Sequence, residues 1–426
     1  MSIALRKRLL SGRGKTGVYS VCSAHPWVIE AAARHASEEG QPLLLEATSN
    51  QVNQDGGYTG MAPEDFSRFA VKIATSAGLP ADRLILGGDH LGPHPWSSLP
   101  AVEAMAKAEE MVSRYVASGF TKIHLDTSMR CAEDPDHLDD ATIAKRAALL
   151  CKAAERTAQQ LRVEPVYVIG TEVPPPGGAS HQLQRIDVTT DAAVEQTLKV
   201  HRDAFNDYLL HEAWHRVTAI VVQPGVEFDH DSVIDYVPEA ASELKSFLGR
   251  HPELVFEAHS TDYQLPEAYK NLICDGFSIL KVGPALTFAM REALFGLACI
   301  EEELCVSVDR SNLRETLESA MLARPGYWQR YYQGTPQQQK LLRFFSYSDR
   351  IRYYWPAREV ERAVNKLLCN LENVAIPETL FSQYLPAAYS TADRGVQSKP
   401  KDIVIEHIRS VLRTYSSACQ QQSIPA

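Results

Sequence analysis

The sequence predicts one α/β domain, a (β/α)8 TIM barrel with a helical C-terminal extension. Three observations carry this expectation. Eight short runs rich in leucine or β-branched residues recur along the first part of the chain, the stretches between them repeat apolar residues every three and four positions, and beyond about residue 300 the strand-like runs stop. Short apolar runs alternating with helical periods are the mark of parallel strands joined by crossover helices.

In chain order the expected strands are 17–22, 42–46, 84–88, 122–125, 166–170, 218–223, 254–258 and 277–282. Stretches such as PEDFSRFAVKIATSAG, AVEAMAKAEEMVSRYVASG and DATIAKRAALLCKAAERTAQQL lie between them and read as amphipathic helices that cover the sheet. Eight such units match the usual barrel size of about 250 residues better than an open sheet, and no GxGxxG follows the first run. The barrel is placed at 1–300. Segments such as NLRETLESAMLARPGYWQRYYQG and EVERAVNKLLCNLENV place a helical extension at 301–426, packed on the barrel.

With 426 residues, 45% hydrophobic and 23% charged, the chain falls in the globular range. A formal net charge of −10 provides no global positive field for a nucleic-acid backbone or an anionic membrane. No apolar stretch approaches the roughly 20 residues needed to span a bilayer, and MSIALRKRLLSGRGKTG lacks the apolar stretch of a signal peptide, so a cytoplasmic location is expected. The eight cysteines form no CxxC pair and read as reduced structural thiols.

Chemistry in this architecture gathers at the C-terminal ends of the strands, where the loops leading to the helices converge. The residues at the end of each apolar run are therefore the candidates. The first run delivers His25, the second Glu46 and Asn50, both expected to contact substrate, the third Asp89 and His90, and the fourth His124 and Asp126. The fifth gives Thr171 and Glu172, the sixth Gln223, the seventh Glu257 and His259, and the eighth Lys281. One polar strand end is usually solvated loop; eight in period with the strands define a functional mouth. Imidazoles and carboxylates aimed at one point suit a divalent cation such as Zn or Mn. Within the fourth strand, His124 or Asp126 could equally serve only as a hydrogen-bonding neighbour.

Barrels often bind phosphate beyond strands seven and eight, where backbone N–H groups at a helix start face the ligand. Ser260, Thr261 and Gly283 stand at those positions. In the extension, YSDRIRYYWP offers Arg350 and Arg352 for bidentate phosphate contact, or alternatively an aromatic docking face. The glycine-rich segment EATSNQVNQDGGYTGM reads either as a flexible substrate loop, with Asn50 toward sugar hydroxyls, or as an irregular loop closed by Asx turns.

Taken together, EATSNQVNQDGGYTGM, LGGDHLGP, TKIHLD, YVIGTEVP, VVQPGVEFDH, FEAHSTDYQ, ILKVGPALTFAMREALF, YSDRIRYYWP and SQYLP resemble the Z-subunit family of bacterial tagatose-1,6-bisphosphate aldolase over nearly the whole chain. The resemblance implies a class II aldolase-like barrel in galactitol and tagatose catabolism. It implies either a tagatose 6-phosphate 4-epimerase or a non-catalytic subunit that stabilises and activates a class II aldolase partner. A kinase label, common in such families, finds no GxxxxGK[ST] phosphate cradle, and no nucleotide cofactor is expected. The Asp–His pair of class II aldolases maps onto Asp89, as proton carrier, and His90, as metal ligand; the second metal histidine maps onto His259. Epimerisation at C4 of a ketohexose phosphate by cleavage and reclosure of C3–C4 is the favoured expectation. In it His90, Glu172 and His259 hold the metal, Asp89 or Asp126 moves the proton, and Lys281 neutralises developing charge. Asp55 and the prolines of TEVPPPGG depart from the family strings beside the mouth.

Overall fold

Each expected strand forms, and the eight close on one another in parallel to make a barrel. The computed structural model describes residues 2–171, 186–387 and 399–420. The strands are β1 (Val18–Val21), β2 (Leu43–Thr48), β3 (Leu84–Leu91), β4 (Lys122–Leu125), β5 (Val166–Ile169), β6 (Val217–Val221), β7 (Val255–Ala258) and β8 (Ile279–Val282). A two-stranded hairpin, Glu227–Phe228 with Val233–Ile234, is added in the loop after β6.

Alternation along the strands sorts the side chains into two sets, because successive residues point to opposite faces. Val21, Leu43, Leu45, Ile123, Leu125 and Leu280 join the core beneath the surrounding helices. The inward set is layered. At the N-terminal end of the barrel Val18, Leu44, Ile85, Val166, Ala219, Val255 and Ile279 form a separate apolar cluster with Leu5 and Leu9. Those two leucines belong to the helix Ser2–Gly12, which plugs that end; burying each contributes about 1.5–3 kcal/mol.

Above this cluster the lining becomes charged on β2, β4, β7 and β8, through Glu46, Lys122, Glu257 and Lys281, while Val168 and Val221 keep β5 and β6 apolar. Glu46 on β2 lies in register with Gly87 on β3, and Gly87 with Lys122 on β4. A Cβ on Gly87 would stand 2.7 Å from Cγ of Glu46, so this glycine makes room for the carboxylate inside the barrel.

Beyond β8 the helix Pro284–Leu304 runs through the position expected to divide barrel from extension. The helices Leu313–Ala323, Pro336–Phe345 and Arg358–Leu371 come next, and the barrel and extension share one hydrophobic core. The last long helix, Pro400–Cys419, returns to pack against Pro26–Glu38, Pro266–Cys274 and Pro284–Leu304, joining the outer ring of the barrel. Among the described residues no helix is long and apolar enough to cross a membrane.

Candidate active site at the barrel mouth

The charged layer is a buried ion-pair network. Lys122 Nζ lies 2.7 Å from Glu46 Oε1 and 2.7 Å from Glu257 Oε2. Lys281 Nζ lies 2.5 Å from Glu46 Oε2, 3.0 Å from Asp89 Oδ1 and 3.8 Å from Glu257 Oε1. All five residues are at most 4% exposed. Isolated charges at this depth would be untenable, and reciprocal pairing is what allows them. Burial works against the charge on Lys281, but Asp89, Cys22, Glu46 and Glu257 hold its pKa well above the ordinary lysine value. Asp89 is correspondingly held well below the carboxylate range: burial opposes this, and Lys281 and His90 outweigh it.

Above this layer three imidazoles meet. The ring centroids of His90 and His259 are 4.8 Å apart, those of His90 and His124 5.2 Å, and those of His124 and His259 5.2 Å. Each ring is held by a carboxylate through one nitrogen. His90 Nδ1 pairs with Asp126 Oδ2 at 2.7 Å, His124 Nδ1 with Asp89 Oδ1 at 2.9 Å, and His259 Nε2 with Glu257 Oε1 at 3.0 Å. The remaining nitrogens are His90 Nε2, His124 Nε2 and His259 Nδ1. His124 Nε2 is buried without a hydrogen-bond partner.

Local backbone geometry makes this convergence possible. Side chains normally alternate along a strand, yet Asp89 and His90 are consecutive and both reach the mouth. His90 takes a left-handed conformation, φ 47°, where the β3–β4 register shifts between Gly88 and Leu91. Beside it Gly92 passes so close to β4 that a Cβ would lie 1.6 Å from the Asp126 carbonyl oxygen. Asp126 is fixed in turn by the Ser128 hydroxyl at 2.6 Å.

The donors suit a divalent cation. Imidazole nitrogens about 2.1 Å from a tetrahedral ion place their ring centroids roughly 5 Å apart, the spacing seen in this triangle. Asp89, His124, Glu257 and His259 also offer ligand atoms that all lie within 4.8 Å of one another. Burial pushes His259 down to about 4, with Glu257 offsetting only part, so this ring is neutral and able to ligate. Burial disfavours a charge on His90, but Asp89 and Asp126 outweigh it and raise its pKa.

Several expected site residues are placed elsewhere. Glu46 is not a substrate contact, because it is fully buried below the mouth between two lysines. Thr261 faces away from the mouth, donating to the Lys281 carbonyl at 2.6 Å and lying 3.1 Å from the Tyr415 hydroxyl. The Gly283 N–H is taken by Asp262 Oδ1 at 3.0 Å, and the same oxygen accepts from Ala285 N–H at 2.9 Å. The anion at this helix start is therefore the protein's own carboxylate. Arg350 is buried against the Tyr331 ring and donates to the Tyr327 carbonyl at 3.0 Å, in the docking role that was the alternative. His25 caps the helix Pro26–Glu38. Gln223 Oε1 accepts from Gly225 and Val226 N–H and shapes its own turn. Glu172 lies outside the described residues.

Ser260 stays near the mouth, half-buried with φ 53° directly after His259. The loop after β2 is tied by an Asx turn, with Asn53 Oδ1 accepting from Asp55 and Gly57 N–H and the Asn50 carbonyl accepting from Tyr58 N–H. This is the closed-loop alternative. Its Tyr58 ring meets Tyr353 edge-on at 4.8 Å, and Arg352 donates to the Tyr353 hydroxyl at 3.1 Å, so the extension reaches this loop. His124 and Glu257 are the donors to which the sequence pattern gives least weight. A signal for them exists, since both share inward parity with stronger candidates, Asp126 and His259.

The chain is similar to known proteins, and the family profile and one solved structure agree with this architecture. The family profile of the D-tagatose-1,6-bisphosphate aldolase subunit GatZ/KbaZ-like proteins matches residues 5–420. A crystal structure described as a probable tagatose 6 phosphate kinase from Sinorhizobium meliloti 1021 is 50% identical; 95% of this chain and 100% of that chain are covered, with a TM-score of 0.87. The fructuronate-tagaturonate epimerase UxaE from Cohnella laeviribosi aligns at 11% identity over 96% of this chain and 82% of that one, with a TM-score of 0.47. The YdjI aldolase from Escherichia coli K12 aligns at 12% identity over 90% and 97%, with a TM-score of 0.42.

Proposed function

Because the chain belongs to the GatZ/KbaZ-like family of D-tagatose-1,6-bisphosphate aldolase subunits, we propose that it is a cytoplasmic D-tagatose 6-phosphate 4-epimerase. It interconverts tagatose 6-phosphate and fructose 6-phosphate in galactitol and tagatose catabolism. The observation that carries this reading is the histidine triangle, three imidazoles each oriented by a carboxylate with a nitrogen left over. Carboxylate-oriented imidazoles are the usual surroundings of a ligated metal ion.

His90, His124 and His259 would hold the ion, Zn or Mn, with Glu172 a further candidate. When bound, such an ion supplies Lewis-acid polarisation of the substrate's carbonyl and hydroxyl oxygens. The protein's own groups do the rest. Inverting an unactivated C4 carbinol by retro-aldol chemistry breaks C3–C4 and remakes it on the other face. Asp89, kept ionised by Lys281, accepts the C4 hydroxyl proton as the bond breaks and returns it on closure. The Lys281 ammonium neutralises negative charge developing on the C2 and C3 oxygens. Arg352, Ser260 and Asn50 are the candidate contacts for the rest of the ketohexose phosphate.

The family description names a subunit, and this favours a second reading in which the chain stabilises and activates a class II aldolase partner. One experiment separates the two. Purified protein, stripped of metal and reloaded with Mn or Zn, is incubated alone with tagatose 6-phosphate. Formation of fructose 6-phosphate supports the epimerase. No conversion under either metal, together with activation of an added aldolase subunit, overturns it in favour of the second reading.

A further inference from the structure

We propose that the Lys281 ammonium is a tethered cation seated in a second, latent metal site formed by Cys22, Glu46 and Asp89. The proposal rests on the reading of the histidine triangle as a cation site, which it extends. Cys22, Glu46 and Asp89 each offer a ligand atom, and these atoms lie within 4.8 Å of one another. One thiol and two carboxylates form a donor set suited to zinc or cadmium. The chain has placed its own positive charge among them. Lys281 Nζ is 2.5 Å from Glu46 Oε2 and 3.0 Å from Asp89 Oδ1, and the Cys22 thiol is 3.8 Å from Asp89 Oδ2.

The neighbours of this group fix the arrangement. Lys122 takes Glu46 Oε1, leaving Oε2 to face Lys281. Asp89 belongs both to this group and to the donors around the histidines. It therefore bridges two positions for positive charge, as a carboxylate does between the ions of a two-metal site. On one side the charge would be an exchangeable ion; on the other it is the covalently attached ammonium of Lys281. An ammonium has three N–H donors. Glu46 and Asp89 take two, while Glu257 at 3.8 Å is beyond hydrogen-bond reach, which leaves the third for a substrate oxygen. The ammonium would then offset negative charge on the substrate oxygens from the position a second cation would otherwise take.

The test uses the full chain with Cd2+ as probe, read by metal stoichiometry and by the thiolate-to-cadmium charge-transfer band in the ultraviolet. The parent is expected to bind one equivalent without that band. Lys281→Met is expected to bind a second equivalent and show it, Lys281→Met with Cys22→Ser to return to one, and Lys281→Arg to remain at one. Lys281→Met binding no additional Cd2+, or binding it equally well without Cys22, overturns the proposal. If Lys281→Met does not fold, Glu46→Gln/Lys281→Met removes one buried charge of each sign and should show the same Cys22-dependent band at weaker affinity. Absence of that band, or failure of both variants to fold even with Cd2+ present, likewise overturns the proposal. A parent that binds no ion, with Lys281→Met gaining one Cys22-dependent ion, sinks the histidine-triangle reading and leaves the latent site standing.

Discussion

His124 and Lys281 meet on one oxygen: Asp89 Oδ1 lies 2.9 Å from His124 Nδ1 and 3.0 Å from Lys281 Nζ. The carboxylate thereby joins the histidine triangle to the ion-pair layer beneath it. Its second oxygen is nearest the Cys22 thiol and His90 Nε2, each at 3.8 Å. That oxygen accepts only the weak thiol donor, and in the proposed mechanism it is the one that takes up the proton.

Asp89→Asn keeps the size of the side chain but cannot take up that proton. As an epimerase, the isolated protein is expected to lose turnover by about 100-fold or more. The fold is retained, because Glu46 still neutralises Lys281, and circular dichroism checks this. In an aldolase-activation assay, equal performance of parent and variant, with no epimerase activity in either, would leave only the subunit role.

Asp126 touches the cation site only through His90. Removing a carboxylate that orients a ligand typically costs about 10–100-fold in metal affinity. Asp126→Asn should show a loss of that size in chelator competition, while the neighbouring Ser128→Ala should lose less. Unchanged affinity in Asp126→Asn would remove His90 from the ligand set.

The strands and the polar residue at each strand end were legible because both arise from a period of two and a barrel's convergence. Inward parity alone joins Lys122, His124 and Asp126, and likewise Glu257 and His259. The left-handed turn at His90 was not legible, since a bulge that directs two consecutive side chains inward leaves no period in the sequence. Nor was the fate of Gly283. Its N–H looked open to phosphate until the fold brought Asp262 from another loop to fill the place. Glu46 reads at a strand end like any mouth carboxylate. Only the barrel's depth shows that two lysines enclose it.

Glu227 gives a pH prediction separate from the metal site. This carboxyl in the hairpin after β6 is 3% exposed, and burial raises its pKa from 4.5 to about 7, with the Phe228 N–H and Ser260 hydroxyl offsetting only part. Between those values the unfolded chain has lost the proton and the folded chain keeps it. This group's contribution to stability is therefore full below pH 4.5 and falls as pH rises toward 7, by at most about 3 kcal/mol. Glu227→Gln, which cannot ionise, should be about 1–3 kcal/mol more stable than the parent at pH 8 and close to it near pH 4.5. Denaturant titrations at the two pH values decide the matter; a constant difference between the proteins would contradict the assignment.

The last prediction concerns the substrate's phosphate. Asp262 occupies the helix start that would otherwise receive an anion, and burial raises its pKa to about 6, so near neutral pH it is largely a carboxylate that repels phosphate. Arg350 is committed to the Tyr327 carbonyl and the Tyr331 ring. Arg352 differs in being only half-buried where Arg350 is buried; it donates to the Ser348 carbonyl, to the Asp349 carbonyl at 3.1 Å and to the Tyr353 hydroxyl at 3.1 Å. It also stands beside Tyr58 of the loop after β2, at the seam between extension and barrel. A charged hydrogen bond to phosphate is worth about 1.5–3 kcal/mol, so Arg352→Met should raise KM for tagatose 6-phosphate by about 10–100-fold and leave KM for free tagatose unchanged. Arg352→Lys should recover only part of the loss, because an ammonium cannot reproduce the bidentate fork. Steady-state kinetics on the two sugars provides the check. An equal effect on both would mean that Arg352 only docks the extension, and that the phosphate is recognised elsewhere.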